Sequence, residues 1–369
     1  MTATKHTPLH AEHEKLGASF TDFGGWDMPL KYGSELAEHR AVREAAGLFD
    51  LSHMGEIRVT GPDAAVFLNT ALAGNLGVVA VGRAKYSLIL DADGGIIDDL
   101  ISYRLADDEF LVVPNAGNAP VVAELFAERS AGFDVVVTDE SGETSLVAVQ
   151  GPASVEILKQ VVPAEQHATV SEMKYYSAVT VTVAGIETLL ARTGYTGEDG
   201  FELYVPNDRA VELWEVLLAA GEPLGLIPAG LASRDSLRLE AGMPLYGNEL
   251  SREVTPFEAG LGPVVSFKKE ERFVGRDALE AKRDEQPERV LVGLRGAGRR
   301  AGRAGYAVLA DGETVGTVTS GQPSPTLGYP VALAYVKPEF SETGTQLAVD
   351  LRGKAEPFEV VALPFYKRA

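Results

Sequence analysis

The chain contains no cysteine at all. Disulfide bonds, thiolate nucleophiles, cysteine zinc sites and iron–sulfur ligation by cysteine are therefore excluded. No apolar run approaches the length of a membrane span, so no membrane partner is expected. The N-terminal segment up to His13 is polar, contains three histidines and lacks the apolar stretch of a secretory signal. These features predict a cytoplasmic protein.

Basic residues are few relative to acidic ones. The chain has 33 lysines and arginines against 53 aspartates and glutamates, which gives a formal net charge of -20. A negative surface repels nucleic acid and anionic lipid, so no nucleic-acid partner is expected. The simplest interpretation of the acidity is solubility. A local exception is a basic run, which we take as a hypothetical docking rim for a protein partner: Arg295, Arg299, Arg300 and Arg303.

Length and turn residues indicate a mixed fold of more than one core. A chain of 369 residues suggests two or three packed subdomains, and 39 glycines with 20 prolines indicate many turns and substantial β content. Hydrophobic periodicity predicts helices and strands in alternation. The predicted helices are 33–46, 118–132, 151–161, 211–220, 229–242 and 277–283. The predicted strands are 55–59, 84–90, 95–105, 110–114, 133–137, 144–149, 176–183 and 186–192.

A weak internal repeat runs through the first half of the chain. A strand, a Gly-Pro pair and a helix follow one another at 57–68 and again at 146–158. This pattern favours two related α/β halves, although Gly-Pro alone is a common turn. After a charged stretch, short apolar runs alternate with Gly and Pro turns from Val290 onward, which predicts a small β-barrel or sandwich. The fold class is therefore α+β, with a core over 1–280 and a separate barrel over 281–369.

Two adjacent carboxylates stand inside an apolar strand. Asp98 and Asp99 follow Gly94-Gly95-Ile96-Ile97. Neighbours on a strand point to opposite faces, so one of the two must face the core or a pocket. A buried carboxylate is costly unless it is paired, and such groups are often functional. The alternative is a pair of turn or capping aspartates.

A glycine-rich segment extends from Arg192 to Glu202. Its glycines allow close backbone approach to a ligand, Tyr195 offers a stacking face, and Glu202 offers a carboxylate. A carboxylate that accepts two N–H bonds suits the amino-amidine edge of a pterin, and equally that of guanine. The alternative is a Gly-rich hairpin loop. The glycine spacing matches neither a dinucleotide-binding nor a Walker motif.

Two further motifs are open to a functional or a structural interpretation. Arg234 and Arg238 form a like-charged i,i+4 pair on a predicted helix, so a bound or internal anion should compensate them. His53, in Asp50-Leu51-Ser52-His53-Met54-Gly55, is interpreted first as a structural hydrogen-bonding residue. Asn115, at the end of its strand, has the same ambiguity.

In this order along the chain, these motifs resemble the aminomethyltransferase (T-protein) family of the glycine cleavage system, and the resemblance covers nearly the whole sequence. Besides the segments above, it is carried by 23–30 (FGGWDMPL), 245–248 (LYGN), 319–321 (TSG), 324–328 (SPTLG) and 364–366 (PFY). Each motif alone is weak, but their joint occurrence is specific.

The resemblance implies a three-domain fold around a central folate pocket. The implied reaction transfers a methylene group from the aminomethyl-lipoyl arm of a carrier H-protein to tetrahydrofolate. Its products are 5,10-methylenetetrahydrofolate, ammonia and the dihydrolipoyl carrier. Tetrahydrofolate and the lipoylated H-protein are the implied partners, no metal is implied, and a monomer is expected.

The resemblance also implies roles for particular residues. Asp99 matches the catalytic aspartate, Glu202 the residue that grips the pterin, and Arg234 a folate contact. Other residues match positions that line the folate pocket: Met54, Tyr86, Val113, Asn115, Tyr175, Tyr195 and Tyr366. The sequence departs from the family at Pro263, within a segment where relatives often carry tryptophan, and at Met243, where relatives can carry an aromatic residue.

Two alternatives share the fold. A folate-linked demethylase module is normally joined to a flavin domain, for which this chain has no room. A non-catalytic folate-binding protein of the iron–sulfur maintenance type carries a cysteine in the glycine-rich segment, and this chain has none. The transferase is therefore the preferred hypothesis, and Asp99 discriminates it from a pure binding protein.

Overall fold

The computed structural model describes residues 4–368 and divides into two compact units. The first unit comprises the chain up to Leu68 together with Leu76–Tyr86 and Leu100–Arg234. The second comprises Asn69–Asn75, Ser87–Asp99 and the chain from Asp235 onward. The backbone therefore passes several times from one unit to the other.

Before the barrel, helices are interspersed with runs of one to three strands. The α-helices are α1 (His10–Lys15), α2 (Glu35–Glu44), α3 (Ala64–Ala71), α4 (Ala119–Arg129), α5 (Ser154–Val161), α6 (His167–Glu172), α7 (Ala210–Gly221), α8 (Leu231–Glu240) and α9 (Arg276–Lys282). The strands before the barrel are β1 (Ser19–Phe23), β2 (Trp26–Lys31), β3 (Ala46–Asp50), β4 (Ile57–Thr60), β5 (Arg83–Leu90), β6 (Ile96–Ala106), β7 (Glu109–Val113), β8 (Val136–Asp139), β9 (Thr144–Gln150), β10 (Ala178–Val183), β11 (Ile186–Ala191), β12 (Gly200–Pro206) and β13 (Leu226–Pro228).

Three sheets are built from these strands. β1 and β2 form a hairpin, β5-β6-β7-β4-β8 form a five-stranded sheet, and β10-β11-β12-β9-β3-β13 form a six-stranded sheet. Pairing in the six-stranded sheet is antiparallel except between β3 and β13, which are parallel. Its apolar face packs against α5 and α7, with Phe201 and Trp214 fully buried in the same core.

The repeated Gly-Pro segments have the same backbone geometry in both copies. Gly61 has φ 131° and Gly151 has φ 136°, a region that side chains other than glycine rarely adopt. A Cβ at Gly61 would meet the carbonyl oxygen of Asp134 at 2.3 Å, and one at Gly151 would meet that of Ala45 at 2.5 Å. α3 and α5 begin three residues after these glycines. The two copies thus share a conformation, as the predicted repeat implies.

The C-terminal part forms a closed barrel of six strands. These are β14 (Val290–Gly296), β15 (Ala307–Ala310), β16 (Glu313–Pro323), β17 (Pro330–Val336), β18 (Gln346–Asp350) and β19 (Ala355–Val361). Their order around the barrel is β14-β17-β16-β15-β18-β19, and antiparallel pairing of β14 with β19 closes it. Alternate side chains such as Val292, Leu294 and Val360 fill its core. The predicted α+β fold with a C-terminal β-barrel is confirmed.

Differences from the predicted elements are local. The strand predicted at 133–137 begins only at Val136. The backbone before it instead packs as a turn against Gly61, and the Asp134 amide donates to the carboxylate of Asp63 at 2.9 Å. The β1–β2 hairpin was not predicted, although its turn residues Gly24 and Gly25, at φ 62° and 86°, carry the signal for it.

Candidate active site

Two arginines hold the glycine-rich segment by hydrogen bonds: Arg192, its first residue, and Arg43 of α2. Arg192 binds Asp199 with two parallel hydrogen bonds of 2.9 and 2.6 Å. Arg43 donates to the carboxylate of Glu198 at 2.9 Å and to the carbonyl oxygen of Thr196 at 2.7 Å. Glu198 and Asp199 are thus engaged in holding the shape of the segment.

Two glycines of this segment make room for a buried glutamine. The Gln150 carboxamide donates to the carbonyl oxygen of Thr193 at 3.0 Å and accepts from the hydroxyl of Thr196 at 3.0 Å. A Cβ at Gly194 or Gly200 would lie 2.0 or 2.5 Å from that carboxamide. A side chain at either position would displace Gln150. These two glycines therefore have a structural reason to be glycine.

Glu202 lies on β12 within a group of hydroxyls. Thr193 Oγ1 donates to its Oε2 at 2.6 Å, and the Tyr103 hydroxyl donates to the same oxygen at 3.2 Å. Tyr103 also lies 2.9 Å from Thr193 Oγ1 and accepts a bond of 3.4 Å from Tyr204. Burial raises the pKa of Tyr103 and Tyr204 well above 10, so both hydroxyls keep their protons. Charge-assisted bonds of this kind orient the carboxylate.

Arg234 and Tyr195 lie beside this group. The guanidinium carbon of Arg234 stands 4.9 Å from the ring centre of Tyr195, within cation–π range. Burial lowers the pKa of Arg234, and the charge of Glu202 opposes that effect. The structure therefore brings together Tyr195, Glu202 and Arg234, three of the predicted folate-binding residues.

His53 is neutral in this environment. Burial lowers its pKa to about 4; the charge of Asp50 opposes this shift and that of Arg234 adds to it. Its ring meets Phe23 edge-on at 5.4 Å between centres. Among residues 4–368, its Nδ1 finds no hydrogen-bond partner. His53 therefore lacks the proton that a general acid needs near pH 7.

Three predicted residues lie where β7 ends. Val113 is buried as the last residue of β7, and Met54 and Asn115 are half-buried. The amide of Gly55 donates to the carbonyl oxygen of Pro114 at 3.1 Å, which joins the two segments. The carbonyl oxygen of Asn115 accepts from the amide that begins α4, at 2.9 Å, so its backbone also serves the helix.

Tyr86 and Tyr175 occupy more accessible positions in the first unit. Tyr86 is half-buried on β5, and Tyr175 is 42% exposed, with its ring edge-on to Tyr176 at 4.8 Å. The Tyr176 amide donates to the carbonyl oxygen of Arg192 at 2.9 Å. Tyr175 therefore stands beside the start of the glycine-rich segment.

In the second unit, the two aspartates differ in burial, as strand alternation predicts. Asp98 is fully buried, and Asp99 is half-buried. The Tyr246 hydroxyl donates to the carbonyl oxygen of Ile96 at 3.2 Å. Burial raises the pKa of Tyr246, and the charge of Asp98 adds to the effect. Tyr246 belongs to the motif at 245–248, and only the fold brings its side chain to this strand.

The turn before these aspartates is tightly constrained. Asp91 Oδ1 accepts from the amides of Asp93 and Gly95, at 3.0 and 2.8 Å. A Cβ at Gly95 would lie 2.1 Å from the carbonyl oxygen of Arg252. The Asp/Gly hairpin predicted from sequence is confirmed, and Gly95 is required by backbone packing.

Arg238, the second arginine of the predicted like-charged pair, has a structural role. Arg238 is 1% exposed and donates to Glu249 at 3.0 Å, to Asp235 at 2.8 Å and to Ser320 at 2.8 Å. These carboxylates supply the compensating anions that the sequence requires. The internal salt-bridge interpretation therefore holds for Arg238.

Glu240 joins the C-terminal motifs to α8. Its carboxylate accepts from the Ser324 hydroxyl at 2.5 Å and from the Thr326 hydroxyl at 2.8 Å. Its carbonyl oxygen accepts from the amide of Tyr366 at 2.8 Å. The predicted residues Asp99 and Tyr366 thus belong to the second unit, and the other eight belong to the first.

Four other features bear on the description of the chain. Arg295 of the basic run is paired with Glu359 at 2.5 Å, which partly neutralises the predicted docking rim. Pro263 lies exposed in a short 3-10 helix, Gly262–Val264. A cavity of about 600 Å³ in the first unit has a lining that includes Arg58, Tyr204 and residues of β9 to β11, but neither Tyr195 nor Arg234. Among the described residues, no helix is long and apolar enough to cross a membrane.

In the first unit, the half-buried Glu202 carboxylate accepts from two hydroxyls and Arg234 stands over the face of Tyr195, a polar group that is suited to binding a ligand. The comparisons then identify the family. The GCVT N-terminal domain model matches residues 9–269, and the glycine cleavage T-protein C-terminal barrel domain model matches residues 289–367.

Similar proteins match along the whole chain. The aminomethyltransferase of Streptomyces avermitilis is 59% identical over 99% of this chain and 98% of its own length. That of Cutibacterium acnes is 58% identical over 100% of both chains. The crystal structure of glycine cleavage system aminomethyltransferase T from Bartonella henselae has a TM-score of 0.91 at 38% identity, covering 99% of this chain and 98% of that one. The chain therefore belongs to the glycine cleavage T-protein family of aminomethyltransferases, which are tetrahydrofolate-dependent transferases.

Proposed function

We propose that this chain accepts the aminomethyl group from the lipoyl arm of the carrier H-protein in the glycine cleavage system. The methylene carbon leaves the lipoyl sulfur and bonds to tetrahydrofolate, and ammonia and the dihydrolipoyl carrier are released. The observation that carries the folate part is the Glu202 carboxylate, oriented by the Thr193 and Tyr103 hydroxyls beside Arg234 and Tyr195.

Glu202 is the group proposed to hold the pterin. A pterin presents an amino group and a ring N–H side by side, and a carboxylate accepts both through parallel bonds. Thr193 and Tyr103 both donate to Oε2, so they limit rotation of the carboxylate before folate arrives. Preorganisation of this kind lowers the entropy lost on binding.

The other predicted residues are proposed to complete the folate pocket. Arg234 supplies a positive charge and Tyr195 a flat face for the ligand. The remaining pocket residues are proposed as lining groups: Met54, Tyr86, Val113, Asn115, Tyr175 and Tyr366. We further propose that residues 1–280 form the folate-binding core as two interleaved subdomains and that 281–369 form the barrel domain.

Asp99 is proposed as the catalytic carboxylate. Folate N5 carries a proton that must leave or be redirected as the nitrogen attacks the methylene carbon. A half-buried carboxylate accepts such a proton or stabilises the positive charge that develops. Holding the two reactants in contact supplies several further kcal/mol. The reactive sulfur belongs to the lipoyl arm, so the reaction requires no thiol from this chain.

We further propose that the lipoylated H-protein is the partner and that this chain is a monomeric, cytoplasmic protein. The demethylase alternative is less well supported, because the matched aminomethyltransferases have the same length as this chain rather than an added flavin domain. A non-catalytic folate-binding protein would not need Asp99. The experiment below distinguishes these possibilities.

The test measures ammonia release from aminomethylated lipoyl carrier protein, with and without tetrahydrofolate, for the wild type, Asp99→Asn and Asp93→Asn. Asp93 is exposed in the adjacent turn and serves as the matched control. We expect Asp99→Asn to lower folate-dependent release by about 10²–10⁴-fold, with folate affinity and the control unchanged. Loss of folate affinity would make Asp99 a binding residue. Absence of folate-dependent release in the wild type would refute the transferase proposal.

A further inference from the structure

Two histidines and an aspartate converge near the N-terminus of the first unit, in a place that the proposed reaction does not use. The Nε2 atom of His10 lies 3.0 Å from Oδ2 of Asp27, and Nε2 of His6 lies 4.0 Å from the same oxygen. One ligand atom from each of the three residues lies within 4.8 Å of the others. These are the only such group of metal-ligating side chains found among residues 4–368.

The backbone holds these three side chains in place. The amide of Lys5 donates to the carbonyl oxygen of Gly25, and the amide of Asp27 donates to that of Lys5, each at 2.9 Å. The segment that carries His6 is thereby tied to the β1–β2 hairpin that carries Asp27. His10 is the first residue of α1, so its backbone is fixed by the helix.

Ring contacts also hold His10. The rings of His6 and His10 are stacked face to face, with 3.9 Å between their centres and 6° between their planes. His10 also stacks on Phe20 at 4.7 Å. These contacts hold His10, whereas the exposed His6 ring must turn out of the stack to bind the same ion, because an imidazole nitrogen binds a metal in the plane of its ring.

The separations suit a small transition-metal ion. Zinc binds histidine nitrogen at about 2.0–2.1 Å and carboxylate oxygen at about 2.0–2.2 Å, so two ligands of a tetrahedral ion lie about 3.3 Å apart. The observed separations of 3.0 and 4.0 Å lie on either side of that value. We infer that His6, His10 and Asp27 form a binding site for a divalent transition metal such as zinc, with water completing the coordination.

Two features of the surroundings support this site. The side chain of His6 is 53% exposed, which leaves an entry path from solvent. The net charge of -20 attracts cations to the surface.

The role of the ion is structural. Bound metal cross-links the segment before α1 to the β1–β2 hairpin, which adds to the stability of the folded chain because the unfolded chain does not present the site. The simpler alternative is a hydrogen-bonded His10–Asp27 pair that binds no ion. The two differ in whether His6 matters, since His6 lies beyond hydrogen-bond distance of Asp27.

The experiment titrates Zn²⁺ into the tag-free, chelator-treated full chain by calorimetry, and Co²⁺ by visible absorption, which reports nitrogen and oxygen ligands. The variants are His6→Gln and Asp27→Asn. His167→Gln, a partly exposed histidine on α6, is the matched control. Melting in chelator confirms that each variant folds.

We expect the wild type to bind one Zn²⁺ per chain and to melt at a higher temperature with Zn²⁺. His6→Gln and Asp27→Asn should each weaken binding at least about tenfold and abolish the shift in melting temperature, and His167→Gln should change neither. Absence of stoichiometric binding in the wild type, or equal binding in His6→Gln, would overturn the inference.

Discussion

Thr193 Oγ1 donates a hydrogen bond of 2.6 Å to Oε2 of Glu202, and both residues belong to the glycine-rich segment. Thr193 is buried, and its carbonyl oxygen is held at the same time by Gln150. The hydroxyl that orients the proposed pterin carboxylate is therefore itself fixed from two sides. Changes at Thr193 should alter folate binding before they alter the fold.

Replacing Thr193 with valine removes this hydroxyl and keeps the shape. A hydrogen bond to a charged group contributes about 1.5–3 kcal/mol, so we expect tetrahydrofolate affinity to fall at least about tenfold, as measured by calorimetry. Thr188→Val is the control, since Thr188 is equally buried but bonds the carbonyl oxygen of Ile186. Equal losses in both variants would point to a general packing defect instead.

Gly95→Ala should damage the proposed catalytic strand. The added Cβ would lie 2.1 Å from the carbonyl oxygen of Arg252, so the backbone beside Asp98 and Asp99 must shift. Misplacement of a reacting group by about 1 Å costs about a hundredfold in rate, and we expect folate-dependent ammonia release to fall by that order. Gly142→Ala, which meets open space, should retain activity. An active Gly95→Ala enzyme would contradict the proposed role of this strand.

Arg238→Met should destabilise the protein strongly. It leaves the carboxylate of Glu249 buried without its cation, and removal of one partner of a buried pair costs about 3–5 kcal/mol. Urea unfolding should show this loss, and the double variant Arg238→Met with Glu249→Gln should recover part of it. Arg209→Met breaks a more exposed pair with Glu212 and should cost less than about 1 kcal/mol. Similar losses at the two arginines would refute the assignment.

Glu56 should make stability fall as pH rises. Burial raises its pKa well above 4.5, and the charges of Asp139 and Glu140 add to this. Among residues 4–368, neither of its carboxylate oxygens finds a hydrogen-bond partner. The folded chain keeps a proton that the unfolded chain loses above pH 4.5, so this contribution to the free energy of unfolding is complete below pH 4.5. It declines by about 1.4 kcal/mol per pH unit until the folded pKa is passed.

Glu56→Gln removes this dependence. We expect the variant and the wild type to unfold at similar denaturant concentrations near pH 4.5, and the variant to be more stable at pH 8. Glu172→Gln, at an exposed position on α6, is the control. Parallel pH profiles of the wild type and Glu56→Gln would show that Glu56 ionises freely in the folded chain.

Much of the fold was predictable because its signals are local. Alternating apolar runs predict the barrel strands, the Asp/Gly turn before Gly95 predicts its hairpin, and alternation predicts that Asp98 and Asp99 differ in burial. Each of these rests on residues within about one strand length of each other. The N-terminal hairpin was missed because its two strands are short and partly polar.

The candidate site was predictable only in part. Asp99, Glu202 and Arg234 stand in recognisable motifs, and their assigned roles remain predictions. Tyr103 was missed because it lies 90 residues from Thr193 and 99 from Glu202, and nothing in its own strand marks it. Gln150 was missed for the same reason, although it explains why Gly194 and Gly200 carry no side chain.

The sequence by itself determined the absence of thiol chemistry, the acidic surface and the α+β class with its barrel, because composition and local periodicity specify these, and its ordered motifs carry the family resemblance. Only the tertiary structure decided which polar groups meet. It placed hydroxyls on Glu202, left the buried Glu56 with no hydrogen-bond partner among residues 4–368, paired Arg238 with Glu249 and gathered His6, His10 and Asp27. Such contacts join residues that are distant in sequence, and they exist only once the sheets and turns have formed.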